Sequence, residues 1–367
     1  MGTTVNLGCF GESYPSSRAI FIKGVEACGG ELTTYRNADV EGPRGEKLYT
    51  DVGIIGPPRA SRSVMMLSGV HGTEAVIAAG LLNDLLASPL LQSLPSDMNA
   101  ILVHVLNPWG MTHETRTTEN NVDLNRNFID FSEPAPRNPG YADLHSIISR
   151  SDIEAAIGDL RKVLAAPSAN GSGNANVDSM MRGQYEFADG INYGGSAEEW
   201  SNRTLRIILA THLPMTRHLA LIDWHTGIGK PTEAVPLAFH LPGSRSALSL
   251  SKWHGKDVTL LGSHFPGGEA PRFTGILNMA VPAILESVST YATVVEFGTK
   301  PNADVLEALM IDRWLKFAGA DSSAANRLKR SMLDCFSPRD PKWRAVVVQS
   351  ARDIVSRTIA GLAAEPD

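Results

Sequence analysis

Cysteine is scarce in this chain of 367 residues, and its three copies lie far apart. Their number is odd, and none of Cys9, Cys28 and Cys335 belongs to a C-x-x-C pair. This spacing argues against both a disulfide framework and a cysteine-based metal clip. Such cysteine usage is typical of a protein in a reducing compartment.

Long apolar runs and basic clusters are also missing. Every apolar run is broken by charge, Gly or Pro before about 18 residues, so no transmembrane helix is predicted. The start of the chain, "MGTTVNLGCFGESYPSSR", has no basic segment and no continuous apolar stretch, so it does not indicate a secretory signal. We therefore expect a cytoplasmic protein. A net charge of -6 without any Lys/Arg block argues against nucleic acid and membrane partners.

The composition that remains, with 43% hydrophobic residues and 33 glycines, is that of an ordinary globular protein with a substantial core. We expect one domain over residues 1–367, with an irregular insertion at about 131–200 that holds one helix near 152–166. Elsewhere the periodicity predicts helices that alternate with short strands. The predicted helices cover 13–28, 73–90, 201–213, 305–319 and 343–363, and the predicted strands cover 47–56, 62–70, 98–108, 218–227 and 292–299. This alternation favours an α/β fold with a mixed, mostly parallel twisted sheet and helices on both faces.

Four polar clusters follow four of the predicted strands. They are "HGTE" at 71–74, "NPWGMTHETRTTENNVDLNRNF" at 107–128, "DWHTG" at 223–227 and "VVEFG" at 294–298. Ligands of open α/β sheets bind at the carboxyl ends of the strands, where such clusters converge. The joint placement is therefore more informative than any single motif.

Three residues of these clusters fit a catalytic zinc site, which takes three protein ligands from histidine and carboxylate and leaves one position for water. They are His71, Glu74 and His225. The H-x-x-E spacing lets a tight turn between strand and helix offer both side chains to one ion, and Gly72 permits the backbone bend. Taken singly, His71 and Glu74 are better explained as a loop histidine and a first-turn glutamate favoured by the helix dipole, and His225 as a strand-end histidine.

The segments "SGVHGTEA", "NNVDLNRNF", "IDWHTG" and "VVEFGT", in this order, resemble the zinc carboxypeptidase (M14-type) superfamily. The sequence is most similar to its bacterial DUF2817 branch, which is related to succinylglutamate desuccinylase and aspartoacylase. "YEFADGINYGG" and "WSNRTL" extend the resemblance over nearly the whole chain. The resemblance implies a zinc carboxypeptidase-like fold and Zn²⁺ as cofactor.

The resemblance also assigns roles to individual residues. It places the zinc ligands at His71, Glu74 and His225. Glu296 matches the glutamate that activates the attacking water, and Asp123 matches the carboxylate that orients the first histidine ligand.

Three further residues would handle the substrate. Asn125 and Arg126 match the pair that grips a terminal carboxylate, and a planar, permanently charged guanidinium suits that task. Arg116 is the candidate for the arginine that polarises the scissile carbonyl. Each of these side chains could instead be a turn residue or an ion-pair partner.

The resulting prediction is a zinc-dependent hydrolase that cleaves a peptide or N-acyl amide bond in a carboxylate-bearing substrate, foremost a metallocarboxypeptidase. The alternatives are an acyl-amino-acid deacylase and a non-catalytic carboxylate-binding protein of the same fold. The expected partner is a small peptide or N-acyl amino acid, and the sequence does not give the oligomeric state.

One departure from classical carboxypeptidases concerns their mobile tyrosine. Between Thr226 and Val295 the chain has only Tyr291, directly before a predicted strand, so His264, Phe265 or Phe273 could close the pocket instead.

Other ring side chains have ordinary explanations. We expect His104 to be a core histidine, because it lies in an apolar strand. His113 lacks the second histidine of H-E-x-x-H and could only line the pocket. Tyr185 and Tyr193 are predicted to pack, and the alternative is that they form a pocket wall.

Overall fold

The computed structural model describes residues 6–165, 175–255, 258–260, 272–319 and 323–366. The strands in this part of the chain are β1 (Glu31–Glu41), β2 (Lys47–Ile55), β3 (Arg62–Leu67), β4 (Met98–His104), β5 (His218–Thr226), β6 (Ala234–Ala238), β7 (Thr259–Leu260) and β8 (Ser289–Phe297). The α-helices are α1 (Tyr14–Ala27), α2 (Ala75–Ala87), α3 (Pro108–His113), α4 (Tyr141–Ile148), α5 (Ile153–Ala165), α6 (Ala175–Arg182), α7 (Trp200–His212), α8 (Arg245–His254), α9 (Leu277–Ile284), α10 (Asn302–Phe317), α11 (Ala325–Phe336) and α12 (Pro341–Ala363).

The strands form one eight-stranded sheet in the order β1-β2-β4-β3-β5-β8-β6-β7. The four inner strands β4, β3, β5 and β8 run parallel, and antiparallel pairing brings in β2 on one side and β6 on the other. The predicted mixed, mostly parallel sheet is confirmed. Because parallel strands end at the same edge, the segments that follow β3, β4, β5 and β8 meet there.

Helices cover both faces of this sheet, as predicted. Val64 and Met66 of β3 pack into a core cluster with α1, α2, α8 and α12. Met65 and Leu67 point the other way, into a cluster with α7 and α9. Alternate residues of a buried parallel strand therefore enter two separate cores, which explains why the strand reads as a continuous apolar run.

The segment 131–200 is more regular than the sequence predicts. It holds the expected helix α5 together with the two shorter helices α4 and α6. Their apolar residues share a third core cluster with α10 and α11. Short amphipathic helices in a glycine-rich and proline-rich stretch give too few periodic positions to be recognised from sequence alone. The single domain stays a prediction.

Within the described residues, no helix combines the length and the apolar character needed to cross a bilayer. Cys9, Cys28 and Cys335 are free thiols.

Candidate active site

The turn after β3 carries two of the predicted site residues. His71 is the N-cap of a short 3-10 helix, Gly72–Glu74, which runs directly into α2. This places Nδ1 of His71 2.9 Å from Oε1 of Glu74. Gly72 is required for a different reason than the predicted bend. A Cβ at this position would lie 2.0 Å from the backbone carbon of Gly110, so only glycine lets α3 pack so closely against the turn.

His225, near the end of β5, completes a cluster of three buried side chains. Its Nδ1 lies 2.9 Å from Oε2 of Glu74 and 3.1 Å from Nδ1 of His71. The backbone N–H of Thr226 donates to Oε2 of Glu74 at 3.1 Å and fixes that carboxylate. One potential ligand atom from each of the three residues lies within 4.8 Å of the others. The structure thus brings together the three predicted metal ligands from two strand ends.

Each histidine also contacts a carboxylate through its second ring nitrogen. Nε2 of His71 lies 2.9 Å from Oδ1 of Asp123, and Nε2 of His225 lies 2.9 Å from Oδ2 of Asp223. Asp123 was predicted for this position, whereas Asp223 was not. Its signal was present in "DWHTG", because residues two apart on a strand share a face.

These contacts test whether a metal fits. Two imidazole Nδ1 atoms and a carboxylate converge, and each imidazole has its other nitrogen on a carboxylate, the arrangement that holds histidine ligands in metalloproteins. Burial alone would raise the pKa of Glu74, but His71 and His225 outweigh it and hold that pKa well below its ordinary value. The donor set fits a divalent cation that leaves an open coordination position.

Glu296 lies beside this cluster. In the pairing of β5 with β8 it is the register partner of His225, and its Oε2 accepts the backbone N–H of Ile228 at 3.4 Å. Burial raises the pKa of Glu296 to about 7, with the charge of His225 opposing this rise and the charge of Glu74 adding to it. A carboxylate whose pKa lies near neutrality is suited to accept and return a proton.

Arg116 contacts the cluster from the loop after α3. Its Nη1 donates to Oε1 of Glu74 at 2.8 Å and its Nη2 to Oδ2 of Asp123 at 3.2 Å. The backbone of Arg116 is held at both ends, because its N–H donates to the carboxylate of Asp312 and its carbonyl accepts from the N–H of Gly72. The guanidinium is therefore fixed next to the potential metal ligands.

Asn125 and Arg126 lie on the adjoining side of the cluster. Nδ2 of Asn125 is 3.3 Å from Nε2 of His225. Arg126 is buried, and its guanidinium donates to the carbonyls of Asn125 and Met181, both at 2.6 Å, and lies over the ring of Phe273. These contacts use two of its five N–H donors. Its Nε has no hydrogen-bond partner among the described residues.

The remaining ring side chains lie apart from the cluster or on its border. Tyr291 is in the core at the start of β8, and its hydroxyl donates to Glu365. It lies five positions before Glu296 on the same strand, roughly 16 Å along the chain, so it does not take the place of the mobile tyrosine. Tyr185, which the sequence predicts to pack or to form a pocket wall, donates its hydroxyl to the carbonyl of Arg126 at 2.6 Å. His264 and Phe265 lie outside the described residues.

His113 stacks on Trp109 with ring centroids 4.1 Å apart and lines a cavity of about 370 Å³. Gly72 and Thr73 line a neighbouring cavity of about 540 Å³. The lining of both cavities lacks His71, Glu74 and His225. They are therefore separate from the cluster.

Comparison with solved structures finds distant likenesses. Carboxypeptidase A from Helicoverpa armigera is 14% identical, with 88% of this chain and 73% of that chain covered and a TM-score of 0.46. Succinylglutamate desuccinylase from Chromobacterium violaceum is 15% identical, with 88% and 74% covered and a TM-score of 0.37. A metallo-carboxypeptidase from Burkholderia cenocepacia is 13% identical, with 82% and 67% covered and a TM-score of 0.42.

Comparison with curated proteins gives no match. The sequence profile of one family, described as "Protein of unknown function (DUF2817)", matches residues 10–350. This match spans both strand ends of the His71, Glu74 and His225 cluster and also Glu296. The chain belongs to the DUF2817 family.

Proposed function

We propose that this protein is a zinc-dependent hydrolase that cleaves an amide bond in a small carboxylate-bearing substrate, foremost as a metallocarboxypeptidase. The observation that carries the proposal is the cluster of His71, Glu74 and His225, with Glu296 beside it. Two imidazole nitrogens and one carboxylate are the ligand set of catalytic zinc, which keeps a further position open. A purely structural zinc site would be closed by a fourth protein ligand.

Zinc, when bound by His71, Glu74 and His225, would polarise a carbonyl and lower the pKa of water toward about 7. Glu296 takes a proton from the attacking water and passes it to the nitrogen of the departing amine. Its pKa near 7 lets it carry out both transfers at neutral pH.

Arg116 would stabilise the negative charge that develops on the scissile carbonyl oxygen. Its contacts with Glu74 and Asp123 fix its position before the substrate arrives, so little reorganisation is needed during the reaction. Asn125 and Arg126 would hold the substrate carboxylate. Three N–H donors of Arg126 have no partner among the described residues and would be available for it.

A second candidate is an acyl-amino-acid deacylase with the same chemistry. The covering of Arg126 favours it, because the carbonyl of Met181, the ring of Phe273 and the hydroxyl of Tyr185 all lie against this residue. A covered carboxylate anchor suits a small free amino acid better than it suits a long peptide.

A paired substrate panel tests both candidates. Protein stripped with a chelator and resupplied with zinc is offered N-blocked peptides with free C-termini, and N-acyl amino acids, each beside its carboxamide. We expect zinc-dependent hydrolysis of one class, and little of the carboxamides. A wild-type protein that binds zinc yet cleaves neither class would leave only the carboxylate-binding alternative. Failure to bind any divalent metal would refute the hydrolase.

A further inference from the structure

Asp223 is a buried carboxylate with few partners. It lies on β5 two residues before His225 and is fully enclosed. Its Oδ2 lies 2.9 Å from Nε2 of His225 and accepts from Nδ2 of Asn278 on α9 at 3.3 Å. Its Oδ1 has no hydrogen-bond partner in the described part of the chain. A half-satisfied buried carboxylate costs free energy, so its presence indicates a function other than stability.

The contact with His225 favours one position of the ring proton. A carboxylate without a proton only accepts, so Asp223 favours the tautomer that carries its N–H on Nε2. The Nδ2 of Asn125, 3.3 Å from the same nitrogen, favours the opposite tautomer, but the full charge of Asp223 outweighs this neutral amide. In a neutral ring, Nδ1 then keeps its lone pair, and Nδ1 is the atom that faces Glu74 and His71. Asn278 fixes the rotation of the carboxylate by donating to the same oxygen that contacts His225.

We propose that Asp223 is a positioning residue, which sets the tautomer and orientation of His225 and so raises the affinity of the site for zinc. The inference rests on the proposed function only in so far as His225 is a metal ligand. It assigns to His225 the kind of partner that Asp123 provides for His71.

The two carboxylates differ in how cleanly they can be tested. Asp123 also accepts from Arg116 and from the backbone N–H of Asn125, so its removal would disturb the substrate side as well. Among the described residues, the polar side chains in contact with the Asp223 carboxylate are His225 and Asn278. Replacing Asp223 therefore isolates the effect on His225.

The test compares zinc affinity with the stability of the metal-free protein. In Asp223→Asn the amide can donate to Nε2 and so favour the wrong tautomer. We expect the zinc dissociation constant, measured by chelator competition, to rise about 10- to 100-fold, as for other partners of metal-bound histidines. The metal-free melting temperature should stay the same or rise, which a structural role for Asp223 would not produce.

Asp51→Asn is the matched control, because Asp51 is equally enclosed on β2 but pairs with Arg18 and Thr34. It should lower the melting temperature and leave zinc affinity unchanged. An Asp223→Asn protein that binds zinc within threefold of wild type would overturn the proposal and leave the hydrolase intact. Weakening of zinc binding to the same degree by Asp51→Asn would also overturn it. If Asp223→Asn alone binds zinc more weakly and wild type shows no hydrolysis, the positioning role of Asp223 stands and the proposed hydrolase does not.

Discussion

Three histidines lie at the ends of three neighbouring strands, yet only two of them belong to the cluster. His104 ends β4, His71 follows β3, and His225 lies near the end of β5. His225 points to the sheet face covered by α7 and α9, where it meets carboxylates. His104 points to the opposite face, where Nε2 lies 2.9 Å from Oγ of Ser17 and the ring stacks on Phe21.

The difference shows in the protonation of the two strand histidines. Burial lowers the pKa of His104 from its ordinary 6.5 to about 4. Burial would also lower the pKa of His225, but the charges of Asp223 and Glu74 hold it well above the ordinary value. A histidine at a strand end therefore need not join the cluster, because its contacts depend on the face of the sheet to which it points and on the charged residues of that face.

The first prediction concerns histidines removed from each face of the sheet. We expect His225→Ala and His71→Ala to lose bound zinc and to reduce kcat/KM by about 10³-fold or more, since the metal contributes several kcal/mol to transition-state stabilisation. His104→Gln should keep its zinc and most of its activity. Metal analysis of the three purified proteins measures this. Full zinc occupancy in His225→Ala would show that the cluster is not the metal site.

A second prediction separates metal binding from proton transfer on the same sheet face. Glu296→Gln keeps the shape of the side chain but cannot accept a proton, so kcat should fall by about 10²- to 10⁴-fold with zinc retained. Glu199→Gln is the matched control and should leave kcat unchanged. Burial also raises the pKa of Glu199, but this residue lies away from the cluster and its carboxylate accepts a hydrogen bond from Asn120. Equal activity in Glu296→Gln and wild type would remove Glu296 from the mechanism.

Much of the sheet could be predicted from the sequence because its inner strands are short apolar runs. The outer strand β1 was not predicted. Most of its residues are at least partly exposed, so it has no apolar alternation to recognise. The two-residue strand β7 is too short to give any pattern. The cytoplasmic location stays a prediction.

The site residues also differ in how well the sequence predicts them. His71, Glu74 and His225 could be predicted because each belongs to a short motif at the end of a strand. Residues two apart on a strand share a face, but the sequence does not show whether their side chains touch, so the contact of Asp223 with His225 was not predicted. The covering of Arg126 by Met181 and Phe273 joins segments far apart in the chain, and no local pattern encodes it.

The third prediction concerns the core-facing histidine. His104 is neutral in the folded protein, so its stabilising effect is complete above pH 6.5, the unfolded pKa, and is lost as pH falls toward 4. The shift corresponds to about 3 kcal/mol of unfolding free energy. Denaturant unfolding of metal-free wild type and His104→Gln at pH 7 and pH 4.5 measures it. The advantage of wild type should shrink by about that amount at the lower pH, and a constant difference would contradict the shift.

The fourth prediction concerns Arg126. Its buried guanidinium donates to backbone carbonyls, but it is proposed to hold a substrate carboxylate. Arg126→Ala should raise KM for the carboxylate substrate about 10- to 50-fold, the size of a lost charge-assisted pair. It should change KM for the matching carboxamide by no more than about threefold. Arg126→Lys keeps the charge but loses the planar pair of donors, so it should fall between the two. An equal rise in KM for the acid and the amide would show that Arg126 only binds the carbonyls of Asn125 and Met181. Its role would then be structural, like that of His104.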